Sequence, residues 1–326
     1  MWSLLVSSEY DNLTSTGLPG LNMPGGGTRT KARNVRQAGI EVINNVDNCK
    51  TPFLLVEPLF INYYDGCKHA DEAFDTIMKG LKKADYIKMA WAEEQQLLRW
   101  SGKKRHKFLE PMSKLFVCNK YLKQLLSVYV SKPIGILRTP ISSSSFIASK
   151  KQKRVVAIGK VSPHKCISDV IDLFKELPDS WEKVYIGNAG LWGTETNTTE
   201  IELEGRLKNS CDWIPSLSQN EVADIASETF AYVNLARYDV GCLSFLEFAM
   251  AGCYCFCNDF HLMFDEYKHV ARIHGPKDGA NQIIDAFNQY GSNPNKRLRN
   301  QMVRMHSFEA FRKQLKDNTK EMIDVN

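Results

Sequence analysis

Short β-branched and aromatic runs alternate with stretches of helical character from Trp2 to Val130, and the alternation restarts at Arg154 after a polar interruption. This pattern constrains the fold more than any other feature of the chain. Strands separated by helices argue for a parallel, doubly wound sheet. Two such series argue for two sheets, and 326 residues comfortably make two domains. In the first series strands are predicted over 2–7, 41–43, 52–60, 86–89 and 114–118. Helices are predicted over 28–38, 71–83, 93–100 and 121–130, the first ending at Gly39, a natural C′ residue. Ser142 to Ser145 and Lys150 to Lys153 read as a polar, flexible joint. Beyond it come strands over 154–159, 183–186, 230–234 and 254–258, helices over 167–177, 218–227 and 242–251, and a basic helical tail over 293–320. Two α/β domains joined by a linker place a cleft between them, the default ligand site.

Composition narrows the setting. The net charge of +5 permits an anionic ligand without requiring one. The nine cysteines form an odd set in apolar contexts, which favours reduced thiols and a cytoplasmic protein, the host's cytoplasm if the chain is viral. Cys253, Cys255 and Cys257 alternate along one strand and share a face, a spacing unlike a zinc knuckle. No apolar run approaches the ~18 residues of a membrane span, and no basic leader or cleavage site precedes the first strand.

The stretch after the strand at 230–234 carries the chemistry. Asp239 and Glu247 stand eight positions apart, the first in a loop with Gly241, the second inside an apolar helix that starts near Cys242 and closes at Gly252. A strand, a glycine loop and a helix N-terminus stabilise anionic groups through free N–H donors and the helix dipole. A carboxylate behind that loop suits the hydroxyls of a sugar or ribose better than a phosphate. Earlier, the strand ending at Gly159 is followed at once by Lys160 and five positions later by Lys165, with His164 beside it. Then come Val184-Tyr185-Ile186-Gly187 and the segment with Trp213.

This order resembles the donor-binding domain of retaining, nucleotide-sugar-dependent glycosyltransferases of the GT-B fold, family 4 in particular. The resemblance covers 154–258 well and the N-terminal half in outline. It implies two Rossmann-like domains facing a central cleft: an acceptor-side domain over 1–145, a donor domain over 154–300, and a final helix over 301–326 packing back toward the first domain. It implies that Lys160 and Lys165 hold the donor diphosphate, that Asp239 takes the donor sugar and that Glu247 takes the ribose. Gly241, Cys242, Gly187, Trp213, Gly26 and Gly27 would line the donor site. Two departures stand out. Lys160 replaces the usual Arg, which loses bidentate geometry, and Asp239 replaces a Glu. Neither N-domain histidine, His69 or His106, lies in the context where relatives aim an imidazole at the donor sugar. Without an Asp-x-Asp loop no metal is expected, and the nucleoside diphosphate sugar is a co-substrate with no further cofactor. Retention is implied by the resemblance.

The run Lys103-Lys104-Arg105-His106-Lys107 lies beside Trp100 and Phe108, and Arg29, Lys31 and Arg33 lie on the first helix. Its ordinary reading is a solvated helix end. The alternative is a phosphate-rich acceptor held by Arg29, Lys103, Lys104 and Arg105. Some phage enzymes of this fold glycosylate hydroxymethylated DNA bases, so DNA joins glycan, lipid and small-molecule acceptors. A sugar- or nucleic-acid-binding protein that kept the fold without turnover is the non-enzymatic reading. A nicotinamide oxidoreductase lacks its G-x-G-x-x-G turn here.

Overall fold

The computed structural model describes residues 2–5, 27–43, 49–56, 70–83, 87–92, 97, 100–189, 198–237, 239 and 242–323. It divides into two units, one of 1–20, 26–140 and 305–326, the other of 21–25 and 141–304.

In the first unit six parallel strands, β1 (Trp2–Leu5), β2 (Glu41–Ile43), β3 (Phe53–Val56), β4 (Ile87–Ala92), β5 (Lys114–Val117) and β6 (Ile134–Ile136), lie in the order β2-β1-β3-β4-β5-β6. Helices α1 (Gly27–Gln37), α2 (Ala70–Lys83), α3 (Gly102–Leu109) and α4 (Lys120–Ser127) connect them. Strand β3 is buried along its whole length, as a parallel sheet covered on both faces requires. Leu4, Val35, Leu55, Met89, Trp91 and Phe116 form the core together with Phe311 and Leu315, which come from the far end of the chain. The Trp91 ring packs 5.6 Å from Phe311, and its indole N–H donates to the Leu137 carbonyl at 2.9 Å.

The second unit holds β7 (Gln152–Ile158), β8 (Glu182–Ile186), β9 (Asp212–Ile214), β10 (Thr229–Asn234), β11 (Tyr254–Asn258) and β12 (Val270–Ile273), again all parallel, in the order β12-β11-β10-β7-β8-β9. Its helices are α5 (Ile167–Glu176), α6 (Thr198–Lys208), α7 (Gln219–Glu228), α8 (Leu243–Met250), α9 (Pro276–Tyr290) and α10 (Lys296–His306), followed by α11 (Phe308–Ile323), which returns to the first unit. The chain builds outward from β7 to β9, then crosses back to β10 and builds the other way. The switch point of the sheet therefore lies between β7 and β10, and ligands of open α/β sheets bind beyond the strand ends at such a point.

The segment expected to be a flexible joint is pinned instead. Ser142 is buried and its hydroxyl bonds those of Ser144 and Ser145 at 3.1 and 2.8 Å. Lys151 is 2% exposed, and its ammonium donates to the carbonyls of Ala226, Ser227 and Ala251 at 3.1, 2.7 and 2.8 Å. The Arg299 guanidinium donates to the carbonyls of Phe146, at 2.6 Å, and Met250. Composition alone suggested solvent, but carbonyls remote in sequence converge to satisfy the polar groups, as burial demands.

Candidate active site

The site forms where β7 and β10 end. After β7 the chain passes Gly159 and Lys160, makes a 3-10 turn over Pro163–Lys165, and enters α5 through Cys166 at φ 52°. That left-handed residue, the sole non-glycine with positive φ among those described, turns the chain sharply enough to bring Lys165 back over Gly159. A Cβ on Gly159 would lie 3.4 Å from Lys165 Cε, so the lysine stem runs along bare backbone. After β10, Arg237 N–H donates to the His164 carbonyl at 2.9 Å and ties the two loops together.

Across that tie Lys165 Nζ stands 2.5 Å from Asp239 Oδ2, with side chains only 19% and 18% exposed. Burial raises the Asp239 pKa, yet the charge and hydrogen bond of Lys165 outweigh it, so the carboxyl ionises below its usual range. Asn234, at the end of β10, donates to Asp239 Oδ2 at 3.4 Å and to Cys242 Sγ at 2.9 Å, while its Oδ1 accepts from Ala236 N–H at 3.0 Å. Cys242 caps the start of α8, buried against Tyr232 and Ser244; burial pushes its thiol up to about 12, so it stays protonated.

The other residues singled out in sequence take distinct places. Glu247 is buried in α8, where Gln219 at the start of α7 donates to its Oε1 at 3.0 Å. Lys160 pairs with the buried Glu200 of α6 at 3.3 Å, rather than with Asp239. Gly187 adopts φ 139° and its N–H donates to the Ile214 carbonyl at 2.8 Å. Its own carbonyl accepts from the Trp213 indole at 2.8 Å, and Lys208 Nζ sits 4.4 Å over that indole. Gly27 is the first residue of α1, which also carries Arg29. Gly26 and Gly241 lie outside the described residues. The basic run forms α3. Lys103 is exposed, but Lys104 lies 5.2 Å over Phe74 and 5.3 Å over Trp100, Arg105 donates to the Leu97 carbonyl at 3.0 Å, and Lys107 pairs with Asp75 at 2.5 Å.

Sequence reasoning missed Asn234, Gln219, Glu200 and His261. Asn234 and Gln219 lie at the ends of predicted elements, so a polar residue at a buried element end was the available signal. His261 follows β11 as a lone histidine among apolar residues, and only the fold brings it within electrostatic reach of Asp239. Cys253, Cys255 and Cys257 are buried, and their thiols meet backbone carbonyls. Among the described residues no group of three or more His, Cys, Asp or Glu is placed to hold a metal ion, and no helix is long and apolar enough to cross a membrane.

Residues 141–304, the main body of the second unit, match the family described as glycosyl transferases group 1. The chain belongs to that family. It is accordingly a nucleotide-sugar glycosyltransferase, and the donor-domain resemblance seen in sequence is confirmed at family level. No curated protein matches it in sequence. Solved structures agree on the two-domain GT-B fold at identities that speak for the fold alone. Anabaena HepE, in complex with UDP and glucose, gives a TM-score of 0.71 at 10% identity, over 98% of this chain and 99% of that one. Sucrose-phosphate synthase from Thermosynechococcus elongatus gives 0.68 at 10%, over 100% and 99%. The lipopolysaccharide outer core galactosyltransferase WaaB gives 0.60 at 10%, over 98% and 100%.

Proposed function

We propose that this group 1 glycosyltransferase carries a sugar from a nucleoside diphosphate to an acceptor hydroxyl, with retention at the anomeric carbon and with the leaving phosphate stabilised by lysine charge. The observation that carries the reading is the Lys165–Asp239 pair at the switch point of the second sheet. As a glycosyl–phosphate bond breaks, negative charge grows on the phosphate and positive charge on the sugar ring. A fixed ammonium beside a fixed carboxylate complements both, and groups already in place need no reorganisation at that moment. Lys165 takes the diphosphate, Asp239 the hydroxyls of the transferred sugar, and Glu247 the ribose. Lys160 lends charge once a diphosphate competes with Glu200 for it. That HepE, which shares the fold, is in complex with UDP supports a nucleotide as the ligand.

For the acceptor the reading stays with a hydroxyl-bearing molecule. Lys104, Arg105 and Lys107 of α3 are engaged within their own unit, so no observation favours DNA over a glycan or lipid. The test is a thermal-shift screen of nucleoside diphosphates and nucleotide sugars with Lys165→Ala and Glu247→Ala alongside. A ligand at one hundred times its Kd stabilises the protein by about 2.7 kcal/mol. A shift with one nucleotide family, lost in both variants, establishes the donor site; no shift with any nucleotide removes the assignment.

A further inference from the structure

After β11 the chain does the reverse of what burial preference dictates. Phe260 and Leu262 are 55% and 53% exposed, while His261 between them is 4% exposed. A turn shaped only for stability would bury the phenylalanine and leucine and leave the imidazole in water. The inversion is held rigidly. Arg272 Nη1 donates to the His261 carbonyl at 2.8 Å, the Phe264 N–H donates to the same oxygen at 3.2 Å, and the His261 N–H donates to the Asn258 carbonyl at 3.3 Å. The ring packs on Phe264 with centroids 4.5 Å apart. Asn258 in turn donates to the Leu235 carbonyl, which joins this turn to the loop bearing Asp239.

Within that rigid frame, His261 Nε2 is buried without a hydrogen-bond partner among the described residues. An orphaned buried polar atom is costly, and in a native protein it asks for an explanation, here a partner that arrives with the ligand. The imidazole lies within electrostatic reach of both Asp239 and Lys165, just past the C-terminal end of β11. We infer that His261 is a further donor-contacting residue, whose Nε2 exchanges a hydrogen bond with a hydroxyl of the transferred sugar beside Asp239. This rests on the donor-site reading above. Sugar hydroxyl, rather than diphosphate, follows from charge. Burial lowers the ring's pKa to about 4 although Asp239 draws it upward, so it is neutral at physiological pH. A neutral imidazole offers one donor and one acceptor, as a hydroxyl does, whereas a phosphate selects cations. In this position His261 reads the configuration of a hydroxyl and sorts one hexose from its epimer.

The experiment compares wild type, His261→Phe, which keeps the ring packing on Phe264 without nitrogens, and His261→Gln, which restores a polar group. Affinities are measured for UDP, ADP and GDP, and for UDP-glucose, UDP-galactose, ADP-glucose and GDP-mannose. His261→Leu repeats the apolar arm if phenylalanine does not fit. The expected result is unchanged affinity for the preferred diphosphate and about a tenfold loss of affinity for its sugar conjugate in the apolar variants. Discrimination between epimers collapses with it, and His261→Gln recovers part of both. Equal loss for diphosphate and conjugate, or no loss, overturns the inference while leaving the donor site standing. Failure of wild type to bind any of the seven probes overturns the donor-site reading and this inference together.

Discussion

Gly187 lies so close to Gly159 that a Cβ on the first would fall 1.9 Å from the carbonyl oxygen of the second. The φ of 139° at Gly187 already disfavours any other residue. Gly187→Ala must therefore push β8's exit away from the loop that carries Lys165. We expect a loss of roughly 2–4 kcal/mol of stability, read in urea titrations, with weaker donor binding in whatever fraction folds. An alanine variant of wild-type stability would show that the loops give way easily.

The Lys165–Asp239 pair yields two outcomes. Lys165→Ala and Asp239→Asn should each lower the transfer rate about 10²–10³-fold, the scale of losing one charge-stabilising group. The pH dependence has a definite sign. The folded pKa of Asp239 lies below its unfolded value, so the pair's stabilisation is present above about pH 4 and is lost as pH falls through the folded pKa. Melting curves of wild type and Asp239→Asn should stay parallel from pH 5 to 8 and converge in stronger acid.

His306 governs the milder acid range. It is buried, with Nδ1 2.9 Å from the Thr139 carbonyl, and burial lowers its pKa to about 3. The unfolded chain takes up a proton near pH 6.5, long before the folded one. Stability is therefore full above pH 6.5 and falls as pH drops toward 3, by on the order of 4 kcal/mol from this group alone. His306→Gln can still donate to Thr139 and should flatten that slope in pH-dependent urea titrations.

The basic helix α3 should behave as structure. Lys104→Ala and Arg105→Ala remove contacts over Phe74 and Trp100 and to the Leu97 carbonyl, each costing about 1 kcal/mol. Lys103→Ala, at an exposed position, should change the melting temperature little. A steep salt dependence of binding to hydroxymethylated DNA, lost in Lys103→Ala, would reinstate the nucleic-acid acceptor.

The sequence made the second unit's centre legible because the latter half of β7 and most of β10 and β11 are apolar runs and α5 and α8 carry many buried apolar residues. Helices α6 and α9 escaped notice: the one buries Leu203 and Leu207, the other little more than Ala280 and Ile283, too sparse a stripe to mark a period. Strands β6, β9 and β12, of three, three and four residues, were not read from sequence, although β2, of three residues, was. The Ser101 cap of α3 was present in sequence but overshadowed by the charge run behind it. Lys165 and Asp239 were both picked out, yet only the strand order brings residues 74 positions apart into contact. Lys151 shows the limit most clearly, since it stands in a run of polar and basic residues with nothing to signal burial.

Phe311 and Leu315 complete a core whose other members lie between Leu4 and Leu137. During synthesis the first unit therefore waits, with Trp91 lacking its ring partner, while the ribosome makes the whole of the second. The second unit, continuous over 141–304, can close as soon as it emerges. The half of the protein translated first is thus the half that matures last, and its apolar surface is what a chaperone meets in the interval.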